Sequence, residues 1–157
     1  MTQKESAEQL SGSLMEARLQ AAERHFRQAI PASAVFEARP VFYDGETLRL
    51  WAPLEANRNH QGAFFGGSAA AIVTLAGWLL LFFKLQDLHE NASVIIQKST
   101  MHYLKPMCAD VVAVAQLAPN ESWPRAQKAL RRHAKTKLRV RVGLWEGVEE
   151  KATFQGG

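Results

Sequence analysis

Residues 65–84 read Phe65-Gly66-Gly67-Ser68-Ala69-Ala70-Ala71-Ile72-Val73-Thr74-Leu75-Ala76-Gly77-Trp78-Leu79-Leu80-Leu81-Phe82-Phe83-Lys84. From Ala69 to Phe83 the run is almost wholly apolar, small residues crowd its first half, and Lys84 closes it. Those 15 residues fall short of the roughly 20 that a bilayer requires. A helix apolar on all sides is ordinarily buried in protein. The expectation is a swallowed core helix over about residues 68–85, with no membrane span.

Outward from that helix the periodicity changes. Upstream, Ser13-Leu14-Met15-Glu16 has the form of a capping box. Leu19, Ala22, Phe26 and Ile30 follow on one helical face, and Pro31 stops the pattern. Residues 1–12 are expected to be a flexible lead and 13–157 a single domain. Two strands come next, Val35 to Tyr43 and Thr47 to Ala52, with Asp44-Gly45 as the hairpin turn. Downstream, Ala92 to Leu104 predicts a long strand and Asp110 to Ala118 another. Residues 121–134 are helical or irregular. In Thr136 to Trp145, Leu138, Val140, Val142 and Leu144 alternate with Arg139 and Arg141, and a last strand begins near Glu149. The pattern predicts an α+β protein, an antiparallel sheet wrapped around the apolar helix.

The composition is that of a globular domain: 157 residues, 47% apolar and 22% charged. One cysteine, Cys108, excludes a disulfide within the chain and fits a reducing, cytoplasmic setting. No signal peptide opens the sequence. The net charge of +4 suits an acidic partner, or simply solvated lysines and arginines. The basic stretch from Arg125 to Arg141 carries the same two readings. Nothing there has the stacking aromatics or helix-turn-helix pattern of a nucleic-acid binder.

The chemistry lies in Asn57-Arg58-Asn59-His60-Gln61-Gly62-Ala63-Phe64-Phe65-Gly66-Gly67-Ser68. Two adjacent glycines where a loop enters a buried helix can bare backbone N–H groups at the positive helix end. They can equally serve only close packing. Gly66-Gly67 is no phosphate loop, since no Gly-Lys-Ser/Thr follows. No His/Cys/Asp/Glu spacing suits a metal, and neither metal nor cofactor is expected. His60 reads as a surface loop residue, His102 as a sheet-surface residue, and Cys108 as a small apolar filler.

Asn59-x-x-Gly62-x-x-Phe65-Gly66-Gly67 resembles the Asn-x-x-Gly-x-x-His-Gly-Gly signature of hot-dog thioesterases. The nearer resemblance is to the thioesterase-labelled family found as the C-terminal domain of YiiD-type acetyltransferase fusions and also as a stand-alone protein. It rests on Ala52-Pro53-Leu54 with Asn57 and Asn59, Phe65-Gly66-Gly67-Ser68, Leu75-Ala76-Gly77-Trp78, and Tyr103-Leu104-Lys105-Pro106 before Asp110. It covers about residues 14–154. It implies a hot-dog fold, a homodimer or tetramer with an acyl pocket at the subunit interface, and substrates held as thioesters on acyl carrier protein (ACP) or coenzyme A. Residues 152–157 look like the start of the family's last strand cut short, which would leave a sheet edge open.

Two departures bear on mechanism. Phe65 stands at the signature histidine. Thr74, seven residues past Gly67, stands where such thioesterases carry a carboxylate on the central helix. The usual base or nucleophile is therefore missing. Decarboxylation of a malonyl thioester needs no base; it needs donors at the oxygen that becomes an enolate. The resemblance points the same way, because YiiD-type domains include malonyl-ACP decarboxylases that supply acetyl-ACP to fatty acid synthesis. On that reading Asn59 and Ser68 are the catalytic candidates, and Gly66, Gly67, Phe65, Thr74 and Asn57 contact substrate. Thioester hydrolysis and non-catalytic acyl binding are the alternatives.

Overall fold

The apolar run forms α3, Gly66–Asp87, 22 residues long. The computed structural model describes residues 3–133 and 135–157, and within it Ala69, Ile72, Val73, Ala76, Leu79, Leu80 and Phe83 of α3 are wholly buried. The helix is long and apolar enough to cross a membrane, yet two-thirds of its most apolar 18-residue stretch is buried in protein. Its cover is a six-stranded antiparallel sheet. In chain order the strands are β1 (Arg39–Tyr43), β2 (Leu48–Ala52), β3 (Ser99–Tyr103), β4 (Val111–Leu117), β5 (Val140–Glu146) and β6 (Glu149–Gly156). In space they run β1-β2-β4-β5-β6-β3. Strand alternation aims Leu48, Leu50, Val111, Ala113, Val142, Leu144 and Ala152 at α3, and all are buried. Gly77 brings α3 close to β5, since a β-carbon there would lie 2.9 Å from Val140 Cγ2.

The helix α1, Gln3–Ala29, buries Leu19, Ala22 and Phe26 in the same core and meets α3 through His25, which stacks on Trp78 and Phe82. This helix does not begin at the Ser13 capping box. Gln, Lys, Glu, Ala and Leu precede that box, all strong helix formers, and they carry the helix back to Gln3. The stretch expected to be flexible is thus helical from residue 3; Met1 and Thr2 lie outside the described residues. The predicted strand from Val35 is also shorter. Pro31–Phe36 forms a 3-10 turn, held by the Ser33 hydroxyl donating to the Phe26 carbonyl at 3.3 Å. Glu37, with φ at 50°, ends the turn, and β1 starts two residues later.

At the hairpin, Asp44 accepts the N–H groups of Glu46 and Thr47 at 2.9 and 2.7 Å. These bonds hold its carboxyl below the usual range. Beyond α3, only Ser99–Tyr103 of the expected long strand joins the sheet, paired antiparallel with β6. Residues 92–98 run alongside it, with the Gln97 and Lys98 N–H groups on the Gly157 carbonyl at 2.8 and 3.1 Å. Sequence pattern alone overextends a strand that has no partner. The segment at 121–134 contains α4, Trp123–His133.

The final strand is not left at an edge. β6 reaches Gly156 between β5 and β3, so the edge strands are β1 and β3. Ladder register defines two ends of the sheet. Leu117, Val140, Gly156 and Ser99 form one row; Ala113, Leu144, Ala152 and Tyr103 form another. The start of α3 lies at the Tyr103 end, where the Tyr103 hydroxyl donates to the Gly66 carbonyl at 2.8 Å.

Candidate functional site

The loop from Pro53 to Phe65 delivers the glycine turn by bonding to itself. A short helix, α2 (Leu54–Asn57), follows Pro53. The Asn57 side-chain amide donates to the carbonyls of Pro53 and Phe36 at 2.8 and 2.9 Å, and its backbone carbonyl accepts the Phe65 N–H at 2.7 Å. Asn57 is 2% exposed. The expected substrate contact is therefore corrected: this side chain clamps the loop to the 3-10 turn. Its Oδ1 is buried without a partner among the described residues.

Asn59 makes the next turn. Its Oδ1 accepts the N–H groups of Gln61 and Ala63 at 2.8 and 3.1 Å, and its own N–H donates to the Ala63 carbonyl at 2.7 Å. Gly62 sits within this turn at φ 81°, a conformation that a side chain disfavours. The spacing Asn59-x-x-Gly62 is thus first a device for closing a loop. It also settles the amide's orientation. With Oδ1 committed to two backbone donors, the Nδ2 hydrogens are the end left over, and no described residue accepts them.

Helix α3 then starts without a side-chain cap, and Phe65 occupies the N-cap position with extended backbone. Ser68 is the third residue of the helix, 9% exposed. Its hydroxyl has no hydrogen bond to any described residue. The first helical N–H with an acceptor is that of Ala69, on the Phe65 carbonyl at 3.0 Å. The N–H groups of Gly66, Gly67 and Ser68 have none among the described residues, as a helix start leaves them, and the helix dipole makes this end positive. Gly67 has a steric role: a β-carbon there would run into the Phe65 ring. The ring itself is 54% exposed.

Thr74 does not supply what the missing carboxylate would. Its Oγ1 donates back to the Ala70 carbonyl at 2.8 Å, so the hydroxyl proton is held within the helix. The acid on α3, Asp87, lies at the far end. There it pairs with Arg18 at 2.7 Å and accepts the Tyr43 hydroxyl at 2.7 Å. Burial, then that bond to an anion, pushes the Tyr43 hydroxyl well above its ordinary value. Glu55, on the approach loop, pairs with Arg58 at 3.1 Å in the open. The loop and helix start thus leave Asn59 Nδ2, the Ser68 hydroxyl and three backbone N–H groups without partners among the described residues, and no acid side chain stands on the first turns of the helix.

The remaining candidates make no hydrogen bond to these donors among the described residues. His60 is exposed. His25 stacks on Phe82 with centroids 5.0 Å apart. His102 lies on the outer sheet face, beside a cleft shared with Arg141 and Thr153. Cys108 is exposed rather than a core filler; its N–H, like that of Ala109, is bound by the Glu146 carboxylate, whose pKa these bonds lower. Among the described residues no three His, Cys, Asp or Glu gather as a metal site. A cleft of about 520 Å³ opens at the Ser99 end of the sheet, lined by Lys98, Lys137 and Arg139. The glycine turn is an open surface feature of the single chain and lines neither cleft. Sequence reasoning missed Tyr103 as the anchor of Gly66. Strand alternation, with Met101 inward and two residues before it, was the signal available.

A central helix in an antiparallel sheet, entered through an Asn-x-x-Gly turn and paired glycines, defines a hot-dog protein of the thioesterase type. Residues 19–157 match the family model described as "Putative thioesterase (yiiD_Cterm)", and the chain belongs to that family. Solved structures agree in fold. A protein from Shewanella oneidensis titled a putative thioesterase superposes with a TM-score of 0.78 at 24% identity, over 90% of this chain and 95% of that one. A protein of unknown function from Chlorobaculum tepidum gives 0.82 at 21% identity, over 90% and 92%. A thioesterase from Pseudomonas aeruginosa, solved as a glutamine-to-alanine mutant, gives 0.67 at 13% identity, over 89% and 88%. Similarity at these identities speaks for the architecture alone.

Proposed function

We propose that this protein acts on acyl thioesters carried by ACP or coenzyme A, and that its reaction is decarboxylation of a malonyl thioester to an acetyl thioester. The observation that carries this reading is the inward bond of Thr74 to Ala70, which leaves neutral donors and no base at the helix start. In the reaction the bond between the malonyl carboxylate and the α-carbon breaks. Carbon dioxide leaves, and the electron pair moves onto the thioester oxygen as an enolate. Asn59 Nδ2, the Ser68 hydroxyl and the N–H groups of Gly66 and Gly67 are the donors for that oxygen. Solvent then returns a proton to carbon. A carboxylate at position 74 would repel both the substrate anion and the enolate. No cofactor enters this scheme.

The site is completed by a second copy of the chain. Phe65, Tyr103 and Leu104 are each 54% exposed around the turn, and β3 beside them is an open edge. Contiguous exposed apolar surface of this kind supports a subunit interface. A homodimer in the cytoplasm is the assembly proposed.

Hydrolysis is the second reading, favoured by the thioesterase description of the family. Purified protein incubated with malonyl-ACP and with medium-chain acyl-ACPs, followed by mass analysis, separates the two. Acetyl-ACP with its thioester intact supports decarboxylation; free ACP supports hydrolysis. Neither product, beside a working positive control, leaves an acyl-binding protein. Asn59→Asp refines the test. It keeps the acceptor that closes the loop and removes the Nδ2 donor, so turnover should fall while the fold persists.

A further inference from the structure

Between Ser122 and Trp145 the chain carries eight lysines and arginines and no acid. Three of the eight are ion-paired: Arg131 with Glu90, Arg139 with Glu121 and Arg141 with Glu150. Arg125, Lys128, Arg132, Lys135 and Lys137 are exposed and have no acidic partner among the described residues. The first three are spaced i, i+3, i+7, which sets them on one stripe of α4 about 10 Å long. Farther along the chain, Lys137 lines the cleft at the Ser99 end of the sheet together with Lys98 and Arg139.

We propose that this strip docks the acidic helical surface of a carrier protein that presents the acyl thioester; the proposal rests on the thioester reading above. Five unneutralised cations between residues 125 and 137, three of them on one helical stripe, attract an extended anionic partner and steer its approach. The band contains no exposed large apolar side chain. It therefore lacks the apolar wedge of a membrane-surface helix and the aromatic platform of a single-strand binder. Small phosphates would engage only the cations at the cleft, not a stripe reaching back to Arg125.

The strip does not serve its own glycine turn. Trp123 lies on Lys84, with the ammonium 5.4 Å from the ring centre. Lys84 is 17 residues beyond Gly67 on α3, about 26 Å along the axis. The sheet agrees, because α4 and residues 135–139 connect β4 to β5 at the Ser99 end, and the turn lies at the Tyr103 end. Antiparallel pairing of β3 with β3 of a second copy reverses this relation. Ser99 of one chain then faces Tyr103 of the other. A carrier docked on one copy delivers its arm to the glycine turn of its partner.

The test uses a purified acyl carrier protein lacking its phosphopantetheine as the binding probe. Charge reversal is made in two sets, Arg125→Glu with Lys128→Glu and Arg132→Glu, and Lys135→Glu with Lys137→Glu. Each folded variant, confirmed by an unchanged melting temperature, should bind the probe at least tenfold more weakly, and wild-type binding should weaken with salt. With acyl-carrier substrate, KM should rise at least tenfold at constant kcat, while turnover of a free pantetheine thioester stays level. A mixed dimer, strip-reversed in one copy and Asn59→Asp in the other, should retain activity on acyl-carrier, because the intact strip and intact turn then meet across the interface; an inactive mixed dimer overturns that delivery. Probe binding unaltered by reversal, or wild type that binds duplex DNA or anionic vesicles but not the probe, overturns the docking. A protein that binds the probe through the strip yet turns over no thioester keeps the docking and removes the enzymatic reading.

Discussion

The two ends of α3 are built to opposite rules. At the C-terminal end the large side chains are packed or paired. Phe83 is wholly buried, with the Tyr43 ring stacked on it at 4.7 Å. Trp78 and Phe82 stack with His25 of α1, and the Arg18 guanidinium lies 4.8 Å over Phe83. Even Lys84, 2% exposed, has its ammonium on the Gly45 carbonyl at 2.6 Å and on Glu46 at 3.1 Å. At the N-terminal end the residues are small, three amides lack acceptors among the described residues and the Phe65 ring is half exposed. Packing that satisfies one end can hold the helix so firmly that the other remains unsatisfied. That residue of unmet bonding is what a substrate or a second copy can use.

Substitutions at the two ends should therefore separate stability from chemistry. Phe83→Ala removes a ring from the closed end and should lower unfolding free energy by about 3–5 kcal/mol, read by denaturant titration; a loss under 1 kcal/mol would show that the closed end does not anchor the helix. Asn59→Asp at the open end should cut turnover at least a hundredfold, about 2.7 kcal/mol in the barrier. Its denaturation midpoint should stay near wild type. If both fall together, the loop and the chemistry are one function, and the contrast between the ends fails. Lys84→Met keeps the stem but leaves the Gly45 carbonyl without its donor. A loss of about 1–3 kcal/mol follows, with activity unchanged once the protein is folded.

The smallest effect concerns pH. Lys105 and Lys151 hold Glu149 at about 2, below its model-peptide value of 4.5. Between those values the unfolded chain binds the extra proton, so this carboxylate contributes stability at higher pH and loses it as pH falls from about 4.5 toward 2. Glu149→Gln should flatten that part of the stability profile slightly. An identical slope in the two proteins would mean that the cluster adds nothing, as exposed ion pairs often do.

Much of the architecture was legible in the residues. Composition alone marked α3 as a core helix, because no face of it suits water. Alternation in Val140, Val142 and Leu144 marked a half-buried strand. The signature Asn59, Gly62, Gly66 and Gly67 marked the stretch where the site is proposed. Its internal wiring was less legible. Asn57 and Asn59 look equivalent as letters, yet one is a buried clamp and the other a turn closure with a donor left over. The strand expected from Ala92 shortened because a β pattern has no meaning without a neighbour to bond.

The amino-acid sequence by itself determined that an apolar helix would be enclosed by a sheet, and that no acid would stand on that helix near the glycines. Both follow from local chemistry: transfer of apolar surface out of water, and the identity of the side chain at one position. Tertiary structure alone decided that β6 is interior and β3 an edge, and that the cationic strip lies at the sheet end opposite the glycine turn. Those are relations between distant segments, fixed by strand order and register, and no local pattern carries them.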